Sequence, residues 1–155
     1  MKKERREFLK KGGLLGLGIL GVSAAFQGCA EDEVVSLPPP NQYDVNLNNH
    51  PELLDTGGMA QVNIVLENGS QKNISIKRDS DTEFTVLDSL CRHQNCIVNL
   101  PNDETGGDLI CPCHEVLFSF ETGAVTNKRI SDPVPDLIEL EYDFNSNTNI
   151  LKVTI

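Results

Sequence analysis

CRHQNC, residues 91–96, and CPCHEV, residues 111–116, decide how this chain is read. The sequence of 155 residues has five cysteines and three histidines, and it places four of the cysteines and two of the histidines in these two windows. Cys91-x-His93 and Cys111-x-x-His114 form two close Cys/His pairs on either side of a 17-residue loop. One cysteine is left over in each window, Cys96 in the first and Cys113 in the second. Thiolates and imidazoles are the ligands of zinc, iron–sulfur clusters and copper, and spacing arbitrates among them.

A cluster with two thiolates on one iron and two imidazoles on the other takes one Cys and one His from each window. The two remaining cysteines are then free to bridge the windows, and every residue is used. A zinc site of two cysteines and two histidines takes the same four ligands but leaves Cys96 and Cys113 unexplained. Disulfides alone suit an exported domain, yet they crowd Cys111 against Cys113 across one proline and make both histidines a coincidence. A c-type haem needs Cys-x-x-Cys-His, and Cys111-Pro-Cys-His114 is one residue short. His50 sits between Asn49 and Pro51 in a loop-like stretch and reads as an exposed polar residue.

The flanks of the two windows read as strands. Residues 59–67, 73–77 and 83–88 are apolar at alternate or near-alternate positions, with Asn68-Gly69 as a hairpin turn signal between the first two. Leu109-Ile110 adds a short apolar piece, and LIELEYDF and ILKVTI flank the polar turn NSNTN at the end of the chain. No window of a dozen residues after position 43 holds a helical period. The expectation is an all-β domain over residues 43–155, a small antiparallel β-sandwich or barrel of roughly eight to ten short strands.

With those residues in view, the chain resembles the Rieske family in its disulfide-containing subgroup, whose motifs read Cys-x-His-x-x-Cys and Cys-x-Cys-His. The resemblance extends to FETGAV, residues 120–125, and to the proline loop DPVP, residues 132–135, and covers about residues 45–155. It implies a [2Fe–2S] cofactor carried by a subdomain of two loops. Cys91 and Cys111 would hold the inner iron, His93 and His114 the outer, solvent-facing iron, and Cys96–Cys113 would be the disulfide tying the loops together.

Departures from the family pattern carry chemistry. High-potential members usually continue Gly-Ser-x-Tyr after the second motif, with two hydroxyls donating to sulfur; here the run is Glu115-Val116-Leu117-Phe118. Hydrogen bonds to sulfur favour the more negative reduced cluster, so their loss predicts a lowered potential within the range of about −150 to +300 mV. The Glu115 carboxylate is expected to push the same way. Gln94 stands where quinol-oxidising members have Leu, which argues against quinol oxidation. Asn95 stands where Gly is usual, and Asn tolerates the positive φ that such a turn needs. Arg92 is read as a surface or docking charge.

Outside the domain, MKKERREFLKK opens the chain with six basic and two acidic side chains, followed by the uncharged run from Gly12 to Gly28. This is the layout of an export signal, expected over residues 1–28, and its five glycines from Gly12 to Gly21 favour cleavage over permanent spanning. Arg5-Arg6-Glu7-Phe8-Leu9-Lys10 resembles the twin-arginine signal, which exports folded proteins and suits a cofactor inserted in the cytoplasm. The Gly28-Cys29 junction resembles a lipoprotein cleavage site, so Cys29 is the expected lipid anchor, with an uncleaved membrane anchor or a free secreted protein as alternatives. Residues 29–42, acidic and then Pro38-Pro39-Pro40, read as a spacer between anchor and domain.

Net charge is −10, and without residues 1–28 it is −14, from seven basic and twenty-one acidic side chains. That excludes a general nucleic-acid binder, because phosphate neutralisation needs clustered cations. The expected function is one-electron transfer between redox partner proteins, a cytochrome or an oxidoreductase subunit, on the periplasmic side of a bacterial envelope. Alternatives are the Rieske subunit of an exported oxidoreductase of the arsenite oxidase type, or of a quinol:cytochrome oxidoreductase. An oxygenase ferredoxin is disfavoured because those normally lack the disulfide pair. No nucleophile–base constellation or phosphate-cradling loop is present, so the chain is read as an electron-transfer protein or subunit rather than a stand-alone enzyme.

Overall fold

The computed structural model describes residues 41–155, so the expected export segment, Cys29 and all but the last two residues of the spacer lie outside the described residues. Eleven strands follow in order: β1 (Gln42–Asn46), β2 (Met59–Val65), β3 (Gln71–Arg78), β4 (Phe84–Asp88), β5 (Leu90–Cys91), β6 (Cys96–Ile97), β7 (Leu109–Cys111), β8 (Val116–Phe118), β9 (Val125–Asn127), β10 (Tyr142–Asn145) and β11 (Ile150–Thr154). The domain is all-β with antiparallel pairing throughout, and its helical content among the described residues is two 3-10 turns, Leu47–Asn49 and Pro51–Leu53. Among the described residues no helix is long and apolar enough to cross a membrane.

Two three-stranded sheets, β1-β11-β10 and β2-β3-β4, form the base. Alternation sets their inner faces: Ala60, Val62 and Ile64 of β2 and Leu151 and Val153 of β11 are buried, while Gln61, Asn63 and Val65 are exposed. These side chains join Val45, Ile74, Ile76, Phe84 and Val86 in one apolar cluster between the sheets. Each fully buried Ile or Val contributes roughly 1.5–3 kcal/mol of transfer free energy. The β2–β3 hairpin turns at Asn68-Gly69, where Gly69 takes φ 81 and Asn68 Oδ1 accepts from the Ser70 amide at 2.9 Å. Arg78 clamps the end of β3 by donating to the carbonyls of Leu53, Leu54, Ser80 and Asp81, with its guanidinium 5.4 Å from the Phe84 ring centroid.

A second apolar cluster, built on Leu87, Val98, Leu109, Val116, Phe118, Phe120 and Leu137, lies under the smaller sheets β5-β6 and β7-β8-β9. β4 serves both cores: Phe84 and Val86 face the first, Leu87 the second, and all five of its residues are buried. The same covering explains Ser75, fully buried on the outer face of β3 with its hydroxyl 2.8 Å from that of Ser89. Gln61 reaches across from β2 to donate to the Val98 carbonyl at 2.7 Å.

The strand count exceeds the expected range because the additional strands are two or three residues long, too short to show alternation. Only the end of LIELEYDF is a strand; Leu137–Glu141 instead runs extended beside β4, with a bridge between Leu87 and Glu139. His50, expected to be exposed, caps both 3-10 turns and is half-buried, its Nδ1 3.6 Å from the Glu52 carboxylate.

Candidate metal centre

The two windows fold into matching hairpins. Cys91 ends β5 opposite Cys96 of β6, and Cys111 ends β7 opposite Val116 of β8, so each hairpin encloses a four-residue turn. In each turn the last residue is left-handed, Asn95 at φ 57 and Glu115 at φ 53. Each donates its amide back to the cysteine carbonyl, Asn95 to Cys91 at 2.8 Å and Glu115 to Cys111 at 2.9 Å. Asn accepts this conformation readily, whereas Glu pays the Cβ–carbonyl clash of roughly 1–2 kcal/mol. Reciprocal backbone bonds between Asn99 and Ile110, at 2.8 and 3.1 Å, hold the hairpins side by side.

Cys91 and Cys111 are free thiols, each 1% exposed, and both belong to the second apolar cluster. Burial pushes the Cys91 thiol up, neighbouring Cys111 pushes it the same way, and backbone N–H groups of His93 and Gln94 pull against both. The imidazoles of His93 and His114 are half-buried and meet edge to face, ring centroids 4.8 Å apart at 66°. Cys96 and Cys113 are joined in a disulfide with a Cα–Cα distance of 6.5 Å. The Sγ atoms of Cys96, Cys111 and Cys113 all lie within 4.8 Å of one another, but sulfurs sharing a disulfide bond have no thiolate to offer a metal. The sequence windows are thus brought to one place, with two sulfurs inside and two imidazoles at the rim.

The segment from Lys128 to Asp136 covers this site and is tied to both hairpins. Arg92 donates to the Asp136 carbonyl at 3.2 Å, so the cation read as a surface charge also fixes the cover. Asp132 places a carboxylate oxygen 3.9 Å from His93 Nε2, and Lys128 donates to the Asp132 carbonyl at 3.0 Å. Arg129 pairs with the Glu115 carboxylate, so the negative charge expected beside the site is largely met by a cation. Sequence reading did not find Arg129, because a partner fourteen positions away carries no local signal. Behind the cover, Gly123 at φ 70 lets Leu137 approach; a Cβ there would lie 2.9 Å from the Leu137 carbonyl oxygen.

Two buried thiols and two rim imidazoles are the donor set required by a [2Fe–2S] cluster with one iron on two cysteines and the other on two histidines, and the residues fit that group. Val116 and Phe118, both fully buried in the same apolar cluster as Cys91 and Cys111, carry no hydroxyl to donate to it.

No curated protein sequence matches the chain. Among solved structures, the chain is similar to a Mycobacterium tuberculosis protein assigned as an NADH-dependent nitrite reductase small subunit, at 15% identity and TM-score 0.43, covering 75% of this chain and 96% of that one. It is also similar to the quaternary ammonium Rieske monooxygenase CntA, at 14% identity and TM-score 0.48 with an inhibitor bound and 15% and 0.49 in the apo form. Both comparisons with that enzyme cover 67% of this chain, which spans only 29% and 30% of the enzyme's length. The model of the Rieske [2Fe-2S] domain matches residues 47–137, more than half the chain and the whole of both hairpins. The protein belongs to the Rieske [2Fe-2S] family, with a 2Fe–2S cluster as its cofactor and electron transfer as its role.

Proposed function

We propose that Cys91 and Cys111 hold one iron and His93 and His114 the other, in an exported, membrane-tethered protein that passes single electrons between redox partners. The observation that carries this reading is a pair of buried free thiols, one in each hairpin, together with two half-buried imidazoles, one from each hairpin, in edge-to-face contact. When bound, the cluster supplies reversible one-electron exchange. The chain's own residues do the rest. The second apolar cluster keeps water from the sulfurs, the left-handed turns aim the ligands, and the cover segment leaves the imidazoles near the surface for a docked partner.

The same reading holds the potential low for this family, because fully buried Val116 and Phe118 replace two hydroxyl donors. Tethering at Cys29 on the periplasmic side is supported by the basic, glycine-rich leader and the acidic, proline-containing spacer. The partner is a redox protein, a cytochrome or an oxidoreductase subunit, and not a nucleic acid.

An electron paramagnetic resonance spectrum of the dithionite-reduced protein is the test. The rhombic, low-average-g signal of a mixed His/Cys centre is the expected result. A silent, zinc-loaded sample would overturn the electron-transfer reading for this chain. Cys29→Ala separates the tether: the protein is expected to leave the membrane fraction, and retention there would refute lipid anchoring at that cysteine.

A further inference from the structure

One nucleophile stands in direct reach of the disulfide. The Sγ of Cys111, a free thiol, lies within 4.8 Å of both Cys96 Sγ and Cys113 Sγ. The two ends of the disulfide differ in setting: Cys113 is exposed, whereas Cys96 is half-buried and packs against the second apolar cluster. A thiolate released at exposed Cys113 is better hydrated as it leaves than one released at half-buried Cys96, so Cys96 is the favoured point of attack and Cys113 the favoured leaving group.

We infer that Cys96, Cys111 and Cys113 form a thiol–disulfide exchange triad, in which a chain lacking its cluster rearranges from the Cys96–Cys113 bridge to a Cys96–Cys111 bridge. In the step, Cys111 Sγ gives its proton to solvent and attacks Cys96 Sγ. The 96–111 sulfur–sulfur bond forms as the 96–113 bond breaks, the bonding pair leaves on Cys113 Sγ, and solvent returns a proton to it. One disulfide and one thiol enter and one of each emerges, so neither oxidant nor reductant is needed.

The rearranged chain has Cys111 locked in a bridge, one thiolate short of the ligand set proposed above, while a reactive thiol is displayed at Cys113. A Cys111 sulfur committed to iron cannot attack, so exchange is confined to the empty protein. The triad thus favours one order of events, with cluster insertion preceding or accompanying formation of the Cys96–Cys113 bridge. The link to cluster insertion rests on the proposed ligand set; the sulfur geometry does not.

The experiment uses the full chain. Iron and sulfide are first assayed on the purified protein, which tests the proposed cofactor site by itself. The protein is then stripped with an iron chelator under argon without added thiols, held at neutral pH, quenched in acid, alkylated and mapped by tandem mass spectrometry. Among the four cysteines of the two windows, label before stripping is expected on Cys91 and Cys111 only. After stripping, label at Cys111 is expected to fall and label at Cys113 to rise by the same amount, and Cys111→Ser is expected to abolish the label at Cys113. Label that stays on Cys111 would overturn the inference. So would loss of label from Cys91 and Cys111 together, which marks a bridge between those two, or label at Cys113 in the Cys111→Ser variant.

Discussion

The imidazole of His93 lies edge-on to that of His114, with ring centroids 4.8 Å apart, although the two residues belong to separate hairpins. Each ring is positioned by its own turn, so loss of one leaves the hairpins standing. His114→Ala is therefore expected to cut iron retention by at least the roughly 10–100-fold that follows loss of a ligand's supporting partner. The base core, which His114 does not touch, keeps its circular dichroism spectrum and its strands. Iron assay and circular dichroism on the same sample check both halves.

Gly123 tests the fit between the second hairpin and the cover. A methyl group at this position meets Leu137 O at 2.9 Å and Leu87 Cδ2 at 3.3 Å, on a backbone at φ 70. Gly123→Ala is expected to destabilise the domain by about 2 kcal/mol, strain and overpacking together. Urea denaturation gives the value, and a change below about 0.5 kcal/mol would contradict the contact.

Glu115 is the reverse case, a residue whose removal is expected to stabilise. Its φ of 53 suits glycine, and its ion pair with Arg129 joins side chains 54% and 76% exposed, which limits the pair to about 0–1 kcal/mol. With Arg129→Gln in both members of the comparison, Glu115→Gly is expected to gain about 1 kcal/mol. A loss of stability on the same denaturation curve would show that the left-handed turn is not strained.

Val116→Ser with Phe118→Tyr is expected to raise the midpoint potential by on the order of 60 mV, equal to about 1.4 kcal/mol for a one-electron couple. Both side chains are fully buried in the apolar cluster that contains Cys91 and Cys111, and the double variant restores the two hydroxyls that the sequence lacks. A spectroelectrochemical titration of wild type and double variant reads the shift, and an unchanged potential would remove hydroxyl loss as the reason for a low one.

Arg78 tests the base. Its guanidinium donates to four carbonyls and lies over Phe84 and Phe144, at 5.4 and 5.9 Å from their centroids. Lysine offers a point charge where a planar fork is used, so Arg78→Lys is expected to cost about 1–3 kcal/mol in the same urea assay.

Much of this was legible in the sequence for reasons that are local. Alternation in 59–67, the Asn68-Gly69 turn and the polar NSNTN segment each specify their own backbone, and β2, the β2–β3 turn and the β10–β11 hairpin follow. Cysteine and histidine at short spacing named the donor types, because ligand chemistry belongs to the residue and not to its surroundings. Asn95 was readable as a left-handed turn residue from its side chain alone; Glu115 was not, since nothing in a glutamate announces φ 53.

Tertiary structure decided the rest. The buried outer faces of β3 and β4, carrying Ser75 and Leu87, depend on a second core that packs there from residues further along the chain. The pairing of Arg129 with Glu115, of Asp132 with His93 and of Arg92 with the Asp136 carbonyl depends on the cover segment returning over both hairpins. The nearness of Cys111 to Cys96, on the other hairpin, is of the same kind. Sequence spacing fixes what a residue can do within a turn or a strand, whereas contacts between distant segments are set by how two apolar cores pack, and that is a property of the whole chain.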